Sequence, residues 1–480
     1  MKPVYPTFQW MVSGPLLALF VLCAVANVRL VIRSLRAKPG ERVPSLVPII
    51  GGLAGAYGVY LAPVSEFHSY VWVPLLLDIG CGPYLALIGF AILREAIASG
   101  AWLRHVPFLR YLVKNVTPPR ELFENENAIV GCILGTAVGD ALGLPCEGLS
   151  KRRQAKMFPD LSGYHFLPGV GMTSDDTEHT LMLAQSLIET GASPKNLQVA
   201  HFTRNFAWRL RFWILGLPAG VGLATLRAII KLWLGFPGKH SGVYSAGNGA
   251  AMRVALIGVC YGHDRDKTVE LVRAATRITH TDPKAEAGAL AVALAAHLAA
   301  THAASITPAQ YLEVVRAIPE DRVSGLLELA EGACSSVASG ETSEAYAVRI
   351  GCATGVTGYM NHTVPVALHV WLRRGNDYRA ALTEVIRLGG DTDTVAAIVG
   401  ALAGARVGKA GIPAEWLAKL WEWPRTSSWM ETVGRKLAEC CAESKVAAAV
   451  PVNPLKLLLR NMVFLVIVLL HGFRRLLPPY

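Results

Sequence analysis

The chain has 480 residues and exceeds the roughly 250–300 at which a single hydrophobic core stops growing, so a domain with additional segments is expected. Hydrophobic residues make up 52% and charged residues 17%, and the mean hydropathy of +0.37 excludes an average soluble protein and indicates membrane segments. The net charge of +11 comes without an Arg-rich arm, a zinc finger or an aromatic platform, so nucleic acid is not an expected partner.

Three apolar stretches near residues 10–28, 45–64 and 71–93 predict transmembrane helices. Asp78, in the third stretch, is expected to face the helix bundle or to precede the span. Lys and Arg are concentrated between the first two stretches and after the third, whereas residues 63–70 contain neither. The positive-inside rule therefore predicts a multi-pass membrane region over residues 1–100, with everything after residue 94 facing the cytoplasm.

After a linker over residues 101–123, the amino-acid composition changes. Residues 124–442 are rich in Ala, Gly and Leu, with apolar residues at helical spacing in stretches such as 179–191 and 290–304. Strand-like alternation is almost absent. This pattern predicts a compact all-α domain whose functional residues lie on the loops between helices.

The tail over residues 443–480 holds a shorter apolar run, 462–470, with Lys456 and Arg460 before it and Arg474 and Arg475 after it. Cationic residues at both ends favour a helix that lies in the cytoplasmic membrane interface. A fourth membrane span is the alternative.

Two oxygen-rich clusters stand where helices are predicted to begin, GMTSDDTEHT (171–180) and RLGGDTDTVAA (387–397). A helix cap needs one side-chain oxygen, and each cluster offers several. Carboxylates this close repel one another unless a cation compensates them, and hard oxygen donors suit Mg²⁺, Mn²⁺ or Ca²⁺. The two clusters together could hold two divalent ions through Ser174, Asp175, Asp176, Asp391, Asp393 and Thr394.

Three further segments could belong to the same pocket. The stretch GTAVGDALGLPCEG (135–148) leads to Glu147, and ITHTDP (278–283) places His280 at a helix end. In SAGNGAAMR (245–253), the backbone amides of 247–249 could face a phosphate. Taken singly, each segment also has an ordinary structural explanation.

The order of these five segments resembles the ADP-ribosylglycohydrolase family from about Ala128 to Trp416, and LGGDTDT followed by AAIVGALAGA carries the resemblance most specifically. The resemblance implies a compact helical domain with two Mg²⁺ ions, or Mn²⁺, on the six residues named above, where Ser174 replaces a more usual Thr. It implies catalytic roles for Glu147, Asp175 and Asp176. It also implies contacts to the diphosphate and ribose, or a place near the ligand, for Ser245, Gly247, Asn248, Gly249, His280 and Tyr359.

The implied function is a membrane-anchored, Mg²⁺-dependent hydrolase that cleaves the ribosyl C1″ bond of an ADP-ribosylated protein or small molecule through an oxocarbenium-like transition state. Alternatives are a membrane-tethered module that binds ADP-ribose without cleaving it, a two-metal phosphohydrolase, and a membrane scaffold without catalysis. The sequence indicates neither the acceptor nor the oligomeric state.

Overall fold

The computed structural model describes residues 6–36, 50–78 and 125–479, apart from 168, 192–197, 303–304 and 444. The chain divides into two compact units, residues 1–120 and 121–480. Each unit is described by itself.

Within the described residues of the first unit there are three helices, α1 (Pro6–Arg36), α2 (Ile50–Leu61) and α3 (Val73–Leu77), with a 3₁₀ turn over Ser65–Tyr70. The backbone becomes extended at Asp78, which is fully buried. Its carboxylate accepts hydrogen bonds from the Asn27 side chain at 2.8 Å and the Gly52 amide at 2.9 Å, and so joins α1 to α2. Residues 79–93 of the third predicted span and the linker over 101–123 lie outside the described residues.

The described part of the second unit is helical and contains isolated bridges but no β-strand, which confirms the all-α prediction. Its helices are α4 (Glu126–Gly143), α5 (Lys151–Met157), α6 (Asp175–Thr190), α7 (Val199–Trp213), α8 (Leu223–Trp233), α9 (Gly238–Ser241), α10 (Ala255–Tyr261), α11 (Arg265–Arg277), α12 (Pro283–Thr301), α13 (Pro308–Arg316), α14 (Leu326–Ala338), α15 (Ser343–Arg349), α16 (Met360–Arg374), α17 (Tyr378–Arg387), α18 (Thr392–Gly411), α19 (Ala414–Ala418), α20 (Ser427–Glu443) and α21 (Pro454–Arg474). Short 3₁₀ helices run over Leu144–Cys146, Ile214–Gly216 and Asn248–Arg253.

Three helices among the described residues are long and apolar enough to cross a membrane, and they lie over Gln9–Arg29, Glu126–Cys146 and Pro454–Arg474. The middle one is completely buried inside the second unit. Its apolar character therefore reflects its place at the centre of the helical domain.

The centre of the second unit is an antiparallel pair, α4 and α18, whose backbones touch. Glycine recurs every fourth residue along α4, and a Cβ atom at these positions would come within 2.1–2.3 Å of backbone carbonyl oxygens of α18. Only hydrogen fits at that distance. The facing pairs, in order, are Gly131 with Gly404, Gly135 with Gly400, Gly139 with Ala396 and Gly143 with Thr392.

This contact predicts opposite effects for two helix-interior Gly→Ala substitutions. In Gly135→Ala the new methyl group would lie 2.1 Å from the Gly400 carbonyl oxygen, so we expect the free energy of unfolding to fall by about 2 kcal/mol or more. Gly472→Ala, where a Cβ meets open space, should instead gain up to about 1 kcal/mol from helix propensity. Denaturant unfolding followed by tryptophan fluorescence measures both, and equal stabilities would contradict the close packing.

Candidate functional site

The first acidic segment is the N-terminus of α6, where Ser174 is the N-cap and its Oγ accepts the Asp176 amide at 3.3 Å. This turn is held from outside by the fully buried Asp140 of α4. The Asp140 carboxylate accepts the Ser174 amide at 2.9 Å, the Thr177 amide at 3.2 Å and the Thr177 hydroxyl at 2.6 Å. A carboxylate of the central helix therefore fixes the backbone of the Ser174 segment.

Asp140 was not among the predicted site residues. Burial raises its pKa to about 6, while the hydrogen bonds from Thr177 and Ser174 act in the opposite direction. The signal in the sequence was a lone carboxylate in the C-terminal half of an otherwise apolar, glycine-rich helix. Such a residue is costly to bury, and the cost indicates a positioning task.

The second acidic segment precedes α18 and depends on two consecutive glycines, Gly389 and Gly390, with φ of 70° and 86°. A Cβ at Gly390 would lie 2.0 Å from the Val356 carbonyl oxygen. That same oxygen accepts the Asp391 amide at 2.8 Å, and the Gly390 carbonyl accepts the Gly148 amide at 2.6 Å. The turn is thus fastened on both sides, and glycine is the residue that its conformation requires.

The two acidic segments meet. The Thr394 hydroxyl donates to Asp176 Oδ2 at 3.2 Å, across 218 positions of sequence. Carboxylate oxygens of Glu147, Asp391 and Asp393 lie within 4.8 Å of one another. Five of the six predicted ligand positions are therefore tied to one small region by these contacts and by the Ser174–Asp176 cap, and Asp175 follows Ser174 directly.

The electrostatics of this region are unfavourable for carboxylates alone. Burial raises the pKa of Asp176 well above its usual range, and the negative charges around it, Asp391 among them, raise it further. Burial is also the largest cause that raises the pKa of Asp393, and the charge of Glu147 is the second. The half-buried Asp175 has a pKa raised by burial and then by neighbouring carboxylates. A nearby cation would relieve this repulsion.

The GNG segment, residues 247–249, contacts the acidic region through the side chain of Asn248. Asn248 Nδ2 donates to Asp391 Oδ2 at 2.9 Å and to the Thr363 hydroxyl at 3.0 Å. Two of the backbone amides proposed for a phosphate donate within the protein, since Gly247 N bonds Ser245 Oγ at 3.3 Å and Asn248 N bonds the Gly358 carbonyl at 3.0 Å. In this structure the segment therefore orients an acidic residue.

His280 lies beneath that turn and is buried. A Cβ on Gly247 or Gly249 would lie 3.1 Å from an atom of the imidazole, so both glycines pack closely against the ring. Burial, and after it the charge of Arg253, lower the pKa of His280 to about 3, so the ring is neutral near pH 7. Tyr359 is half-buried and pairs with Gly247 through an isolated backbone bridge.

Arg253 of the 245–253 segment also donates to the Thr279 hydroxyl at 2.7 Å. Hydrogen bonds and the close carboxylates of Glu147, Asp391 and Asp393 thus bring all five sequence segments together at one end of the α4–α18 pair. A sequence model described as ADP-ribosylglycohydrolase matches residues 123–446, well over half of the chain. The chain belongs to the ADP-ribosylglycohydrolase family. It is accordingly an enzyme of this hydrolase family.

Relatives in the family cover the same part of the chain. A protein of Archaeoglobus fulgidus described as uncharacterized is 33% identical over 323 residues, which is 65% of this chain and 97% of that protein. The ADP-ribosyl-[dinitrogen reductase] glycohydrolase of Rhodospirillum rubrum is 29% identical over 61% of this chain and 89% of its own. The ADP-ribosylhydrolase ARH3 of Mus musculus is 26% identical over 60% of this chain and 85% of its own.

ADP-ribosylglycohydrolases are metal-dependent in general, and the donors in this chain fit a metal ion. Asp176 Oδ1 and Asp393 Oδ1 are buried and accept no hydrogen bond from the described residues. Such oxygens are costly to bury without a partner, and a divalent cation supplies one. All the donors are carboxylate or hydroxyl oxygens, which favours a hard cation.

Proposed function

We propose that this chain is a membrane-anchored, Mg²⁺-dependent hydrolase that cleaves the bond between C1″ of the ribose and the acceptor in an ADP-ribosylated protein or small molecule. One observation carries the proposal. Two acidic segments of an ADP-ribosylglycohydrolase domain converge at Thr394 and Asp176 and leave buried carboxylate oxygens that have no hydrogen-bond partner among the described residues.

The donors suit two ions held by Ser174, Asp175, Asp176, Asp391, Asp393 and Thr394. When bound, Mg²⁺ or Mn²⁺ would neutralise the carboxylates, orient the ribose hydroxyls and lower the pKa of water. Both segments are rigid before any ion arrives, because Asp140 holds the Ser174 turn and Asn248 holds Asp391. Rigid donors lose little entropy on binding, which favours a fixed geometry at the reacting centre.

Proton transfer falls to carboxylates near the opening of the site. Glu147 is exposed and lies beside Asp391 and Asp393, so it can exchange a proton with water or with the departing acceptor. Asp175, half-buried with a raised pKa, is the second candidate for the proton, and Asp176 is the third. As positive charge develops on the ribose ring in the transition state, the carboxylate of Glu147, which is not among the six proposed metal ligands, can stabilise it.

The names of the relatives support the substrate class. One acts on ADP-ribosyl-[dinitrogen reductase], and another is an ADP-ribosylhydrolase. In this chain, Ser245, Gly249 and Tyr359 lie on the segments that surround the acidic cluster, and we assign the ADP-ribose to this side of the cleft. The acceptor would contact the segments over 150–170 and 205–244, which contain helices α5, α8 and α9 where loops were predicted.

Replacement of one buried acid provides a test of the proposal. Asp393→Ala should lower the release of ADP-ribose at least about a hundredfold and abolish Mg²⁺ binding measured by calorimetry, since metal assistance contributes several kcal/mol to such reactions. The helical circular dichroism should persist. The matched control is Asp321→Ala, which removes an exposed carboxylate from the same domain and should leave turnover and Mg²⁺ binding unchanged.

The assay incubates each purified protein with a panel of ADP-ribosylated acceptors and Mg²⁺, and identifies the released nucleotide by mass spectrometry. Intact ADP-ribose is the expected product. AMP or phosphate would indicate a phosphohydrolase, and bound but uncleaved substrate would indicate a binding module. Equal turnover by Asp393→Ala and Asp321→Ala would eliminate the metal mechanism.

We further propose that α1 anchors the chain in the membrane and that α21 lies along the membrane surface. Residues Gln9–Arg29 have a mean hydropathy of 2.1 over a length sufficient to cross a bilayer. Helix α21 is nearly as apolar, at 1.8, yet Arg460 and Asn461 are buried against the second unit. The other side of α21 presents exposed apolar side chains, namely Leu455, Leu459, Met462, Val463, Val466, Leu470 and Phe473.

A helix with one apolar exposed side and one side bonded to its own domain fits the interfacial position better than a span, because crossing would draw that domain into the hydrocarbon. Of the four cationic residues that border the apolar run 462–470, two are exposed. Arg460 is buried in the protein and Arg475 is partly buried, so Lys456 and Arg474 remain as exposed cations beside the apolar side.

Truncation of residues 1–100 tests this arrangement. The full chain should stay in the membrane at high salt, whereas the truncated chain should keep its activity and bind anionic vesicles in a salt-dependent manner. Val466→Glu in the truncated chain should weaken vesicle binding about tenfold or more, because a charge enters the apolar side. Ser428→Glu, on an exposed position of α20, is the control. Salt-resistant insertion of the truncated chain would make α21 a membrane span.

A further inference from the structure

Helix α21 begins after residue 446, where the segment matched by the ADP-ribosylglycohydrolase family ends, yet its inner side is built into the second unit. Phe464 and Ile467 are buried against Phe166 and Met172, and Asn461 Nδ2 donates to the Gly216 carbonyl at 2.8 Å. This side of the helix is therefore part of the hydrolase domain.

Arg460 on that inner side holds the residue next to the proposed metal ligands. It donates to the Thr173 carbonyl at 2.8 Å and to Glu422 Oε2 at 2.6 Å. The same Glu422 oxygen accepts the Thr173 amide at 3.1 Å. Both polar backbone groups of Thr173 are thus engaged, and Ser174 follows directly.

A second buried arginine, Arg425, also contributes to the contacts that hold the segment around Thr173. Arg425 donates to Glu422 Oε1 at 3.2 Å and also pairs with Glu178 in the first turns of α6. Arg460, Glu422, Arg425 and Glu178 are each less than a tenth exposed. Buried charges in such a network keep a defined geometry, since displacement leaves a charge without a partner.

The C-terminal end of α21 contacts the segment that carries Glu147. Arg475 donates to the Pro145 carbonyl at 2.9 Å, and His471 Nε2 lies 3.0 Å from the same oxygen. Arg153 of α5 in turn bonds the Arg475 carbonyl. Burial lowers the pKa of Arg475, and the negative charge of Glu147, two residues after Pro145, is the largest influence in the opposite direction.

We propose that α21 supplies two positioning residues to the hydrolase site, with Arg460 fixing the Ser174–Asp176 turn through Thr173 and Arg475 fixing Glu147 through Pro145. This inference rests on the proposed function. It makes the helix beyond the matched domain a working part of the site, with one side toward the membrane surface and the other toward the acidic loops.

Arg475→Ala in the full chain tests the Glu147 side. We expect kcat to fall about tenfold or more, because small misplacements of reacting groups are costly, while the Kd for Mg²⁺ changes less than about twofold. Arg475→Lys, which keeps a cationic donor, should restore part of kcat. Arg316→Ala removes an exposed arginine that pairs with Glu331 on the surface, and its kcat should match that of the unaltered chain.

Arg460→Met tests the Ser174 side without using turnover. Loss of the bonds to Thr173 and Glu422 should weaken Mg²⁺ binding measured by calorimetry about tenfold or more, and Arg460→Lys should recover part of it. Arg316→Met is the matched control. If Arg460→Met fails to fold, the Arg460→Lys and Arg475 variants still decide the matter.

The outcomes separate the two proposals. If the unaltered chain releases no ADP-ribose from any acceptor, the proposed function fails, and the Mg²⁺ affinities of the Arg460 variants still test the positioning of the Ser174 turn. If the chain is active but Arg475→Ala has the kcat of Arg316→Ala, and the Arg460 variants bind Mg²⁺ as the unaltered chain does, the inference is overturned.

Discussion

Direct backbone contact between α4 and α18 is the constraint on which the rest of this domain depends. Because the helices are antiparallel and glycine recurs every fourth residue along α4, the C-terminal end of one meets the N-terminal end of the other. The Thr392 hydroxyl bonds the Gly143 carbonyl at 2.7 Å and fixes the register. Glu147 and Asp391, which flank this crossing, are brought together by it.

The same contact determines how charge is arranged around the site. Asp140 lies one turn before the end of α4 and turns its carboxylate to the amides of Ser174 and Thr177, so the acidic turn of α6 is attached to the central pair. On the opposite side of that turn, Glu422 and Arg460 hold Thr173. The cluster of acids is therefore surrounded by a rigid frame, and the repulsion within it remains for a cation to relieve.

Much of this could be predicted from the sequence, because the relevant signals are local. Helical spacing gave the all-α class, and the order of five short motifs gave the family over most of the segment that it matches. The two oxygen-rich clusters were recognisable because each carries more donors than a helix cap needs. Their meeting in space was inferred from the need of both clusters for a cation and from the family resemblance, since Asp176 and Thr394 are 218 positions apart along the chain.

Other features could not be predicted, because they depend on contacts between distant segments. The Gly247 and Asn248 amides donate to Ser245 and Gly358, contacts that a GNG motif does not reveal when it is considered alone. Arg460 resembled a cationic flank of an apolar run, but its partner Glu422 lies 38 positions away in a loop. Tertiary contacts assigned these polar groups to neighbours that periodicity cannot identify.

The most direct test of the central claim is anomalous scattering from crystals of this protein soaked in Mn²⁺, which locates each ion without reference to activity. We expect two peaks roughly 3.5–4 Å apart between Asp176 and Asp393, the spacing typical of paired metal centres. Absence of manganese from this region, or peaks confined to the protein surface, would contradict the account.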